Sequence, residues 1–246
     1  MENILRKQDF KLTTGKSFEK KILNIVYKPI VKWYSGRIRP YRYKDIRIRV
    51  FPGVFHPGVY LSTKVFLEYL EFVNVYKQRV LELGTGTGLI SIICALDGAY
   101  VTASDSHSLS IRNAEFNKRH FNEEISKRGG KLETIESDLF GKIPRQVFDL
   151  IIINPPFLYG KAKTFAEHTI RHTASSSYFE NLFSSLNSYA NSESEILMIL
   201  SDHCDQELIH DAAQKHALGL KCVLTKKHLM ETNYVFRVER NGSLTK

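Results

Sequence analysis

The chain has 246 residues, of which 43% are hydrophobic and 25% charged, and its formal net charge is +9. This composition is ordinary for a folded globular protein and excludes a disordered or fibrous chain. No apolar stretch approaches the roughly 20 residues that a membrane span requires, and residues 1–12 lack the apolar core of a secretory signal. The sequence therefore predicts a cytoplasmic protein with no membrane partner.

The three cysteines, Cys94, Cys204 and Cys222, are widely separated and include no Cys-x-x-Cys pair. Such spacing suits neither a disulfide framework nor a zinc site and favours reduced thiols packed as small hydrophobic side chains. We expect no metal site and no catalytic cysteine.

The positive charge is concentrated near the amino terminus. Residues 1–49 contain 14 Lys and Arg against 4 Asp and Glu, which gives this segment +10 and leaves −1 for the remainder. Its basic and aromatic side chains can pair with phosphates and stack on bases. The sequence predicts a basic extension, residues 1–49, that contacts nucleic acid, or else a solvated arm and a hairpin with charged outer faces. The side chains concerned are Trp33, Tyr34, Arg37, Arg39, Tyr41, Arg42, Tyr43, Lys44, Arg47 and Arg49.

The first regular elements follow at the end of this extension. Residues 43–50 alternate in polarity, which is typical of a half-exposed strand with Ile46, Ile48 and Val50 facing inward. Residues 52–58 contain two Pro and two Gly and break the chain into a loop. Ser62 or Thr63 then caps a helix that buries an apolar face.

From residue 79 onward strands and helices alternate, which indicates a mostly parallel sheet covered on both faces. The last two strands are joined by residues 225–233, too few for a crossover helix, so we expect them to form an antiparallel pair. The predicted class is α/β, a seven-stranded, mostly parallel sheet with an antiparallel last strand in a domain of residues 50–246, preceded by a short basic extension and a hairpin. The predicted strands are 80–83, 100–103, 132–135, 148–153, 195–200, 220–224 and 234–238, and the predicted helices are 90–96, 109–121, 178–189 and 205–217.

A strand, a glycine-rich turn and a helix are predicted in succession from residue 80. Gly84, Gly86 and Gly88 allow a tight turn and let a ligand lie against the backbone with no Cβ in the way. Asp105 follows 21 residues after Gly84, at the end of the next predicted strand, where a carboxylate accepts hydrogen bonds from a ribose diol. The same spacing would serve NAD, but a dinucleotide fingerprint requires glycine where this chain has Leu89.

The pattern acidic-x-Gly-x-Gly-x-Gly, which begins at Glu82, resembles the first motif of the class I S-adenosylmethionine-dependent methyltransferases. The resemblance implies a Rossmann-like fold and S-adenosylmethionine as the cofactor. It implies that Glu82 organises the loop around the methionine part, that Asp105 binds the ribose and that Asp138 contacts the adenine amino group. The cofactor-binding residues implied are Glu82, Gly84, Thr85, Gly86, Gly88, Asp105, Ser106, Asp138, Leu139 and Asn154.

A second motif, Asn154-Pro155-Pro156-Phe157, ends the apolar run 148–153. From its residues alone it is either a site at the carboxyl end of a buried parallel strand or an ordinary proline turn. The tetrapeptide resembles the family's fourth motif, Asn/Asp-Pro-Pro-aromatic, which is associated with methylation of planar nitrogens. The resemblance implies that Asn154 Oδ1 and the Pro155 carbonyl accept the two N–H bonds of the substrate and that Phe157 stacks on it. The predicted catalytic residues are Asn154, Pro155, Pro156 and Phe157.

The substrate is left among three alternatives. The chain is similar to the branch with release-factor glutamine methyltransferases, but its extension is short and basic, and Gly160 is the only glycine in residues 158–177. We therefore expect an exocyclic amine in rRNA or tRNA, with RNA or the ribosome as partner, ahead of a glutamine in a release factor. A non-catalytic RNA-binding member of the fold is the third alternative, and a dehydrogenase is the least favoured.

Several other polar residues are candidates for the site or for structural roles. His56 lies in a segment that closes over the cofactor in related enzymes, and it is alternatively a solvent-exposed histidine in a turn. Asp149, His168 and His172 are predicted to be structural or loop residues.

Overall fold

A computed structural model of the chain describes residues 36–59, 61–155, 176–202, 204–228 and 231–241. Pro156, Phe157, His168 and His172 lie outside the described residues, as do residues 1–35. Within the described ranges there is no helix long and apolar enough to cross a bilayer.

The described chain begins with an antiparallel hairpin of β1 (Arg39–Tyr43) and β2 (Ile46–Val50). The hairpin predicted beside the basic extension is confirmed. The strand predicted over residues 43–50 begins only at Ile46, because the chain reverses at Lys44, whose φ of 49° lies in the left-handed region. The alternation within β2 is as predicted, since Ile48 and Val50 are buried and the arginines between them are exposed.

The remaining strands form one seven-stranded sheet with the order β5-β4-β3-β6-β7-β9-β8. The first five strands in this order are parallel, and β9 runs antiparallel to both β7 and β8. The predicted α/β class, its seven strands and its antiparallel last strand are confirmed. The strands are β3 (Arg79–Leu83), β4 (Tyr100–Asp105), β5 (Lys131–Glu136), β6 (Leu150–Ile153), β7 (Glu195–Ser201), β8 (Leu218–Lys227) and β9 (Thr232–Arg240).

Helices connect the strands close to the predicted positions. The predicted helix 109–121 ends at Lys118, because the amides of His120 and Phe121 donate to carbonyls three residues back, which tightens and ends the last turn. The sequence did not predict the short helix Asn122–Lys127 that follows. Ser62 and Thr63 do not cap the helix α1 (Ser62–Leu70), since it begins after Leu61 without a side-chain cap and both residues are buried in its first turn. The helices are α1 (Ser62–Leu70), α2 (Leu89–Leu96), α3 (Ser108–Lys118), α4 (Asn122–Lys127), α5 (Ser176–Leu186) and α6 (Gln206–Lys215).

The sheet carries a hydrophobic core on each face. In β6, Leu150 and Ile152 belong to one core while Ile151 and Ile153 belong to the other, as the two-residue period of a strand requires. The hairpin packs on the first core through Ile48. The domain boundary predicted between residues 49 and 50 stays a prediction. Successive strands proceed from β3 outward to β4 and β5, and the chain then returns to place β6 on the other side of β3. Open α/β sheets bind ligands at such a switch point, beyond the carboxyl ends of the strands.

Candidate active site

A cleft opens at the carboxyl ends of β3, β4 and β6 and encloses about 1000 Å³, its open mouth included. It brings together residues that lie more than 70 positions apart in the sequence, because parallel strands end at the same edge of the sheet. The predicted site residues along its wall are Glu82, Gly84, Thr85, Gly86, Asp105, Ser106, Asp138, Leu139, Asn154 and Pro155.

The glycine loop needs its glycines for contacts as well as for conformation. Gly84 has φ of 84°, and a Cβ there would lie 3.1 Å from the main-chain oxygen of Asn154. Gly88 does not line the cleft; its φ is 79°, and a Cβ there would lie 3.0 Å from the Cβ of Ala114 in α3. The loop is therefore held closely between the end of β6 on one side and α3 on the other.

Glu82 fastens both ends of this loop. Its Oε2 accepts hydrogen bonds from Thr85 Oγ1 at 2.8 Å, from the Ser91 amide at 3.1 Å and from Ser91 Oγ. The Ser91 amide is one of the amides in the first turn of α2 that have no partner within the helix. Burial raises the pKa of Glu82 to about 7, although these three hydrogen bonds oppose the rise.

Asp105 joins the glycine loop to the turn after β4. Its Oδ2 accepts from the Gly86 amide at 3.0 Å, and its Oδ1 accepts from the His107 amide at 2.9 Å. Burial raises the pKa of this carboxyl group, while the two amides act in the opposite direction. Each carboxylate oxygen can accept more than one hydrogen bond, so the group retains capacity for a ligand.

The turn after β5 forms the third part of the wall. Ser137 is buried and organises the turn, since its Oγ donates to the Leu139 carbonyl at 3.0 Å and accepts from the Lys142 amide at 2.9 Å. Leu139 has φ of 45°, and the neighbouring Asp138 is exposed at the edge of the cleft. The hydroxyl of Ser137 thus fixes the backbone that presents both predicted residues.

The end of β6 places Asn154 beside the glycine loop. The main-chain amide of Asn154 donates a hydrogen bond to the Leu83 carbonyl at 3.4 Å, and the residue is half-buried. Pro155 is buried next to it, and both residues line the cleft. The first half of the predicted Asn-Pro-Pro-Phe motif therefore faces the same space as Gly84 and Asp105.

His56 lies in a segment that borders the cleft, but its own side chain is buried away from the wall. It is 3% exposed, so the alternative of a solvent-exposed histidine is wrong. Its Nδ1 accepts from the Gly58 amide at 3.0 Å, and its ring meets the edge of Tyr41 in β1, with the ring centroids 5.7 Å apart. Burial lowers the pKa of this histidine. Its neighbours Phe55 and Pro57, rather than His56, form the described wall of the cleft.

The structure also assigns residues to the cleft that the sequence did not single out. Tyr178, near the start of α5, is half-buried, and burial together with the charges of Asp138 and Asp105 raises the pKa of its phenol. No local pattern marks it, because 22 residues separate it from Pro155. Thr63, Thr87, His107 and Ser110 also contribute to the wall. Asp149 lies elsewhere and has a structural role, since its Oδ2 accepts from the Arg79 amide at 2.7 Å.

The comparisons with known proteins all identify methyltransferases. The profile described as "Methyltransferase small domain" matches residues 45–181. A putative protein N5-glutamine methyltransferase of Methanocaldococcus jannaschii is 35% identical over 116 residues, which are 47% of this chain and 53% of that protein. A ribosomal protein L11 methyltransferase of Leptospira interrogans is 30% identical over 176 residues, 62% of this chain and 57% of that one. The chain thus spans just over half the length of these relatives.

A similar fold is found in the 16S rRNA N2 G1207 methyltransferase of T. thermophilus, whose structure holds AdoMet and guanosine. The TM-score is 0.55 at 19% identity, and the match covers 83% of this chain and 50% of the other. At this identity the likeness concerns the arrangement of the sheet and helices alone.

Proposed function

This chain belongs to the methyltransferase small domain family, and from that premise we propose that it transfers a methyl group from S-adenosylmethionine to a planar exocyclic nitrogen, with RNA as the preferred substrate and protein as the second candidate. One observation carries the proposal. The amide residue Asn154 faces the same cleft as the glycine loop and Asp105, so an acceptor nitrogen and a cofactor held by that loop would meet.

The cleft suits this cofactor in charge as well as in shape. S-adenosylmethionine supplies an electrophilic methyl group on a sulfonium, which leaves as a neutral thioether. Three carboxyl side chains, those of Glu82, Asp105 and Asp138, line the described wall, which contains no Lys or Arg side chain. Such a wall favours a ligand with cationic sulfonium and ammonium groups over the pyrophosphate of a dinucleotide.

Each part of the wall has a task in this proposal. Asp105 accepts hydrogen bonds from the ribose hydroxyls, Asp138 contacts the adenine amino group, and Glu82 holds the loop against the methionine part. The open side of Gly86, where a Cβ would meet no atom within 4 Å, leaves room for the ligand against the backbone. Glu82 and Asp105 lie at the carboxyl ends of β3 and β4, and Asp138 lies in the turn after β5, so one extended ligand would reach all three.

The acceptor is activated by geometry. A planar exocyclic nitrogen is a poor nucleophile because its lone pair is delocalised into the ring or carbonyl. Asn154 Oδ1 and the Pro155 carbonyl would accept its two N–H bonds and turn the lone pair toward the methyl carbon. The new C–N bond forms as the C–S bond breaks, and the nitrogen then releases one proton. Orientation and electrostatics supply most of the rate enhancement.

RNA is favoured over protein by the charge of the hairpin. Arg42, Arg47 and Arg49 are exposed on β1 and β2, and Arg42 lies directly opposite Arg47. Like charges in that arrangement destabilise a hairpin, and the exposed ion pair of Arg42 with Asp45 at 3.5 Å offsets only part of the repulsion, so an anionic partner explains the arginines better than stability does. The same hairpin lies beside the cleft. Its Tyr41 contacts His56, and Phe55 and Pro57 on either side of His56 line the cleft. A cytoplasmic rRNA or tRNA would thus be anchored beside the cleft.

A glutamine in a release factor is the second candidate. It is supported by the similarity to the putative N5-glutamine methyltransferase, because a glutamine amide is also planar and carries two N–H bonds. A non-catalytic RNA-binding protein is disfavoured, since an Asn-Pro-Pro-Phe motif would serve no purpose there.

Labelled S-adenosylmethionine would test the proposal against each alternative. The protein would be incubated separately with total rRNA, total tRNA and purified release factors. Label in RNA supports the first candidate, and label only in a release factor supports the second. No label in any of the three, with RNA still bound, would favour the non-catalytic alternative.

A further inference from the structure

Two buried asparagines on α3 hold the strand β2. Asn113 and Asn117 are 0% and 2% exposed and lie one turn apart on the helix face that meets the hairpin. Asn113 donates to the Arg49 carbonyl at 2.8 Å and accepts from the Phe51 amide at 2.8 Å. Asn117 donates to the same carbonyl at 2.9 Å and accepts from the Arg49 amide at 2.9 Å. The two amide side chains thus pair with β2 as a neighbouring strand would.

Asn117 also reaches the glycine loop. Its Nδ2 donates to the Thr87 carbonyl at 2.9 Å, and Thr87 lies between Gly86 and Gly88 in the wall of the cleft. One side chain therefore bonds both to the hairpin and to the cofactor loop. Displacing either partner would leave a buried polar group without a hydrogen bond, which is destabilising.

The strand residue held by Asn117 is also one that projects charge outward. The backbone of Arg49 is fixed on the inner side by Asn117, while its side chain is exposed next to that of Arg47 in the basic face of the hairpin. Contact of an anion with this face would restrain the backbone of β2. The restraint would pass to Thr87 through a single buried amide.

We propose that Asn117 is a positioning residue that couples the contact of RNA with the hairpin to the binding of S-adenosylmethionine in the cleft, with Asn113 steadying the strand. This inference rests on the proposed function, because it takes RNA and S-adenosylmethionine as the two ligands. Coupling of this kind is reciprocal, so RNA tightens the cofactor and the cofactor tightens RNA by the same factor.

A purely structural role for the pair predicts a different outcome. Removal of a buried hydrogen bond lowers the melting temperature under either explanation. Only coupling changes the ratio of the cofactor dissociation constants measured without and with RNA. A matched control is Ser194→Ala, which removes the 2.7 Å bond from Ser194 Oγ to the Phe148 carbonyl near the amino ends of β6 and β7, opposite the cleft.

Calorimetry with S-adenosylmethionine, in the absence and presence of saturating total tRNA or rRNA, provides the test. In the full-length wild-type protein RNA should tighten the cofactor about 5-fold or more, the lower end of typical coupling. Asn117→Ala should reduce the ratio to near 1, while Ser194→Ala should keep it. A ratio near 1 in the wild type, or an unchanged ratio in folded Asn117→Ala, would overturn the proposal.

Hydrogen exchange on the wild-type protein covers the case in which Asn117→Ala does not fold. Addition of RNA should slow exchange of the amides of residues 85–88, and no change there would also reject the coupling. These outcomes are separate from the methylation assay. Label transfer without coupling leaves the proposed function intact, and coupling without label transfer leaves the role of Asn117 in coupling intact.

Discussion

Glu82 at the end of β3 accepts a hydrogen bond from the Ser91 amide at 3.1 Å, across nine positions of sequence. This bond holds the start of α2 against the strand that precedes it, and it closes the glycine loop into a fixed turn. Because Glu82 is buried and its partners are neutral donors, its protonation affects both the fold and the cofactor site.

The stability of the protein should therefore depend on pH through Glu82. Its pKa is raised from 4.5 to about 7 by burial, so the folded state binds this proton more tightly than the unfolded state. Its contribution to the free energy of unfolding is fully present below pH 4.5 and falls as the pH rises to 7, by about 3 kcal/mol in all. Urea unfolding between pH 4.5 and 8 should show a smaller decline for Glu82→Gln, and equal declines would contradict the assignment.

Replacement of Asp105 by Ala should weaken S-adenosylmethionine binding at least 10-fold. The carboxylate accepts hydrogen bonds from the Gly86 and His107 amides and is proposed to accept further ones from the ribose hydroxyls. A hydrogen bond to a charged group contributes about 1.5–3 kcal/mol. Calorimetry gives the dissociation constant directly. Asp105→Asn, which retains one acceptor oxygen, should lose less, and wild-type affinity in Asp105→Ala would rule out the ribose role.

Asn154→Ala should lower kcat by roughly 10²–10³, the loss typical for removal of one preorganised transition-state contact. Its main-chain atoms, which lie against Gly84 and Leu83, are unaffected. The dissociation constant for S-adenosylmethionine should stay within about 3-fold of the wild-type value. Single-turnover methylation and calorimetry separate the two effects, and turnover at the wild-type rate would refute the catalytic assignment.

Gly88→Ala should destabilise the fold more than Gly129→Ala does. Both glycines have φ of 79°, so both substitutions incur the left-handed cost of about 1–2 kcal/mol. At Gly88 the new Cβ would also lie 3.0 Å from the Cβ and 3.1 Å from the Cα of Ala114, whereas at Gly129 it would meet no atom within 4 Å. Chemical denaturation of the two variants measures the difference in the free energy of unfolding. Equal losses would contradict the prediction and mean that α3 moves aside without destabilising the fold.

The double substitution of Arg47 and Arg49 by Gln should make RNA binding less dependent on salt. Each lost phosphate contact lowers the slope of log K against log salt by about 0.7 to 0.9, so the slope should fall by roughly 1.5. Lys127→Gln is a suitable control, because Lys127 is exposed and paired with Glu123 at 2.7 Å on α4. Filter binding of total tRNA across a salt series gives the slopes, and an unchanged slope in the double variant would remove the hairpin from the RNA contact.

The sequence predicted the sheet and much of the cleft wall for a local reason. Glycines at alternate positions, a β-branched run and an acidic residue at a strand end each determine the backbone within a few residues. Parallel strands then bring such ends to one edge, so Asp105 and Asn154 could be assigned to a shared site from their positions alone, whereas the role of Glu82 was implied by the resemblance of its motif to the family.

Only the tertiary structure decided the features that depend on distant contacts. The burial of His56 follows from packing under Tyr41, Tyr178 enters the cleft from a helix beyond the last motif, and Ser62 lies inside its helix. The bond between Asn117 and Arg49 spans 68 positions of sequence, and no local pattern specifies such a partner. Backbone preferences act over a few residues, so the local sequence is enough to predict them. The pairing of buried polar groups depends on which surfaces the folded chain brings together.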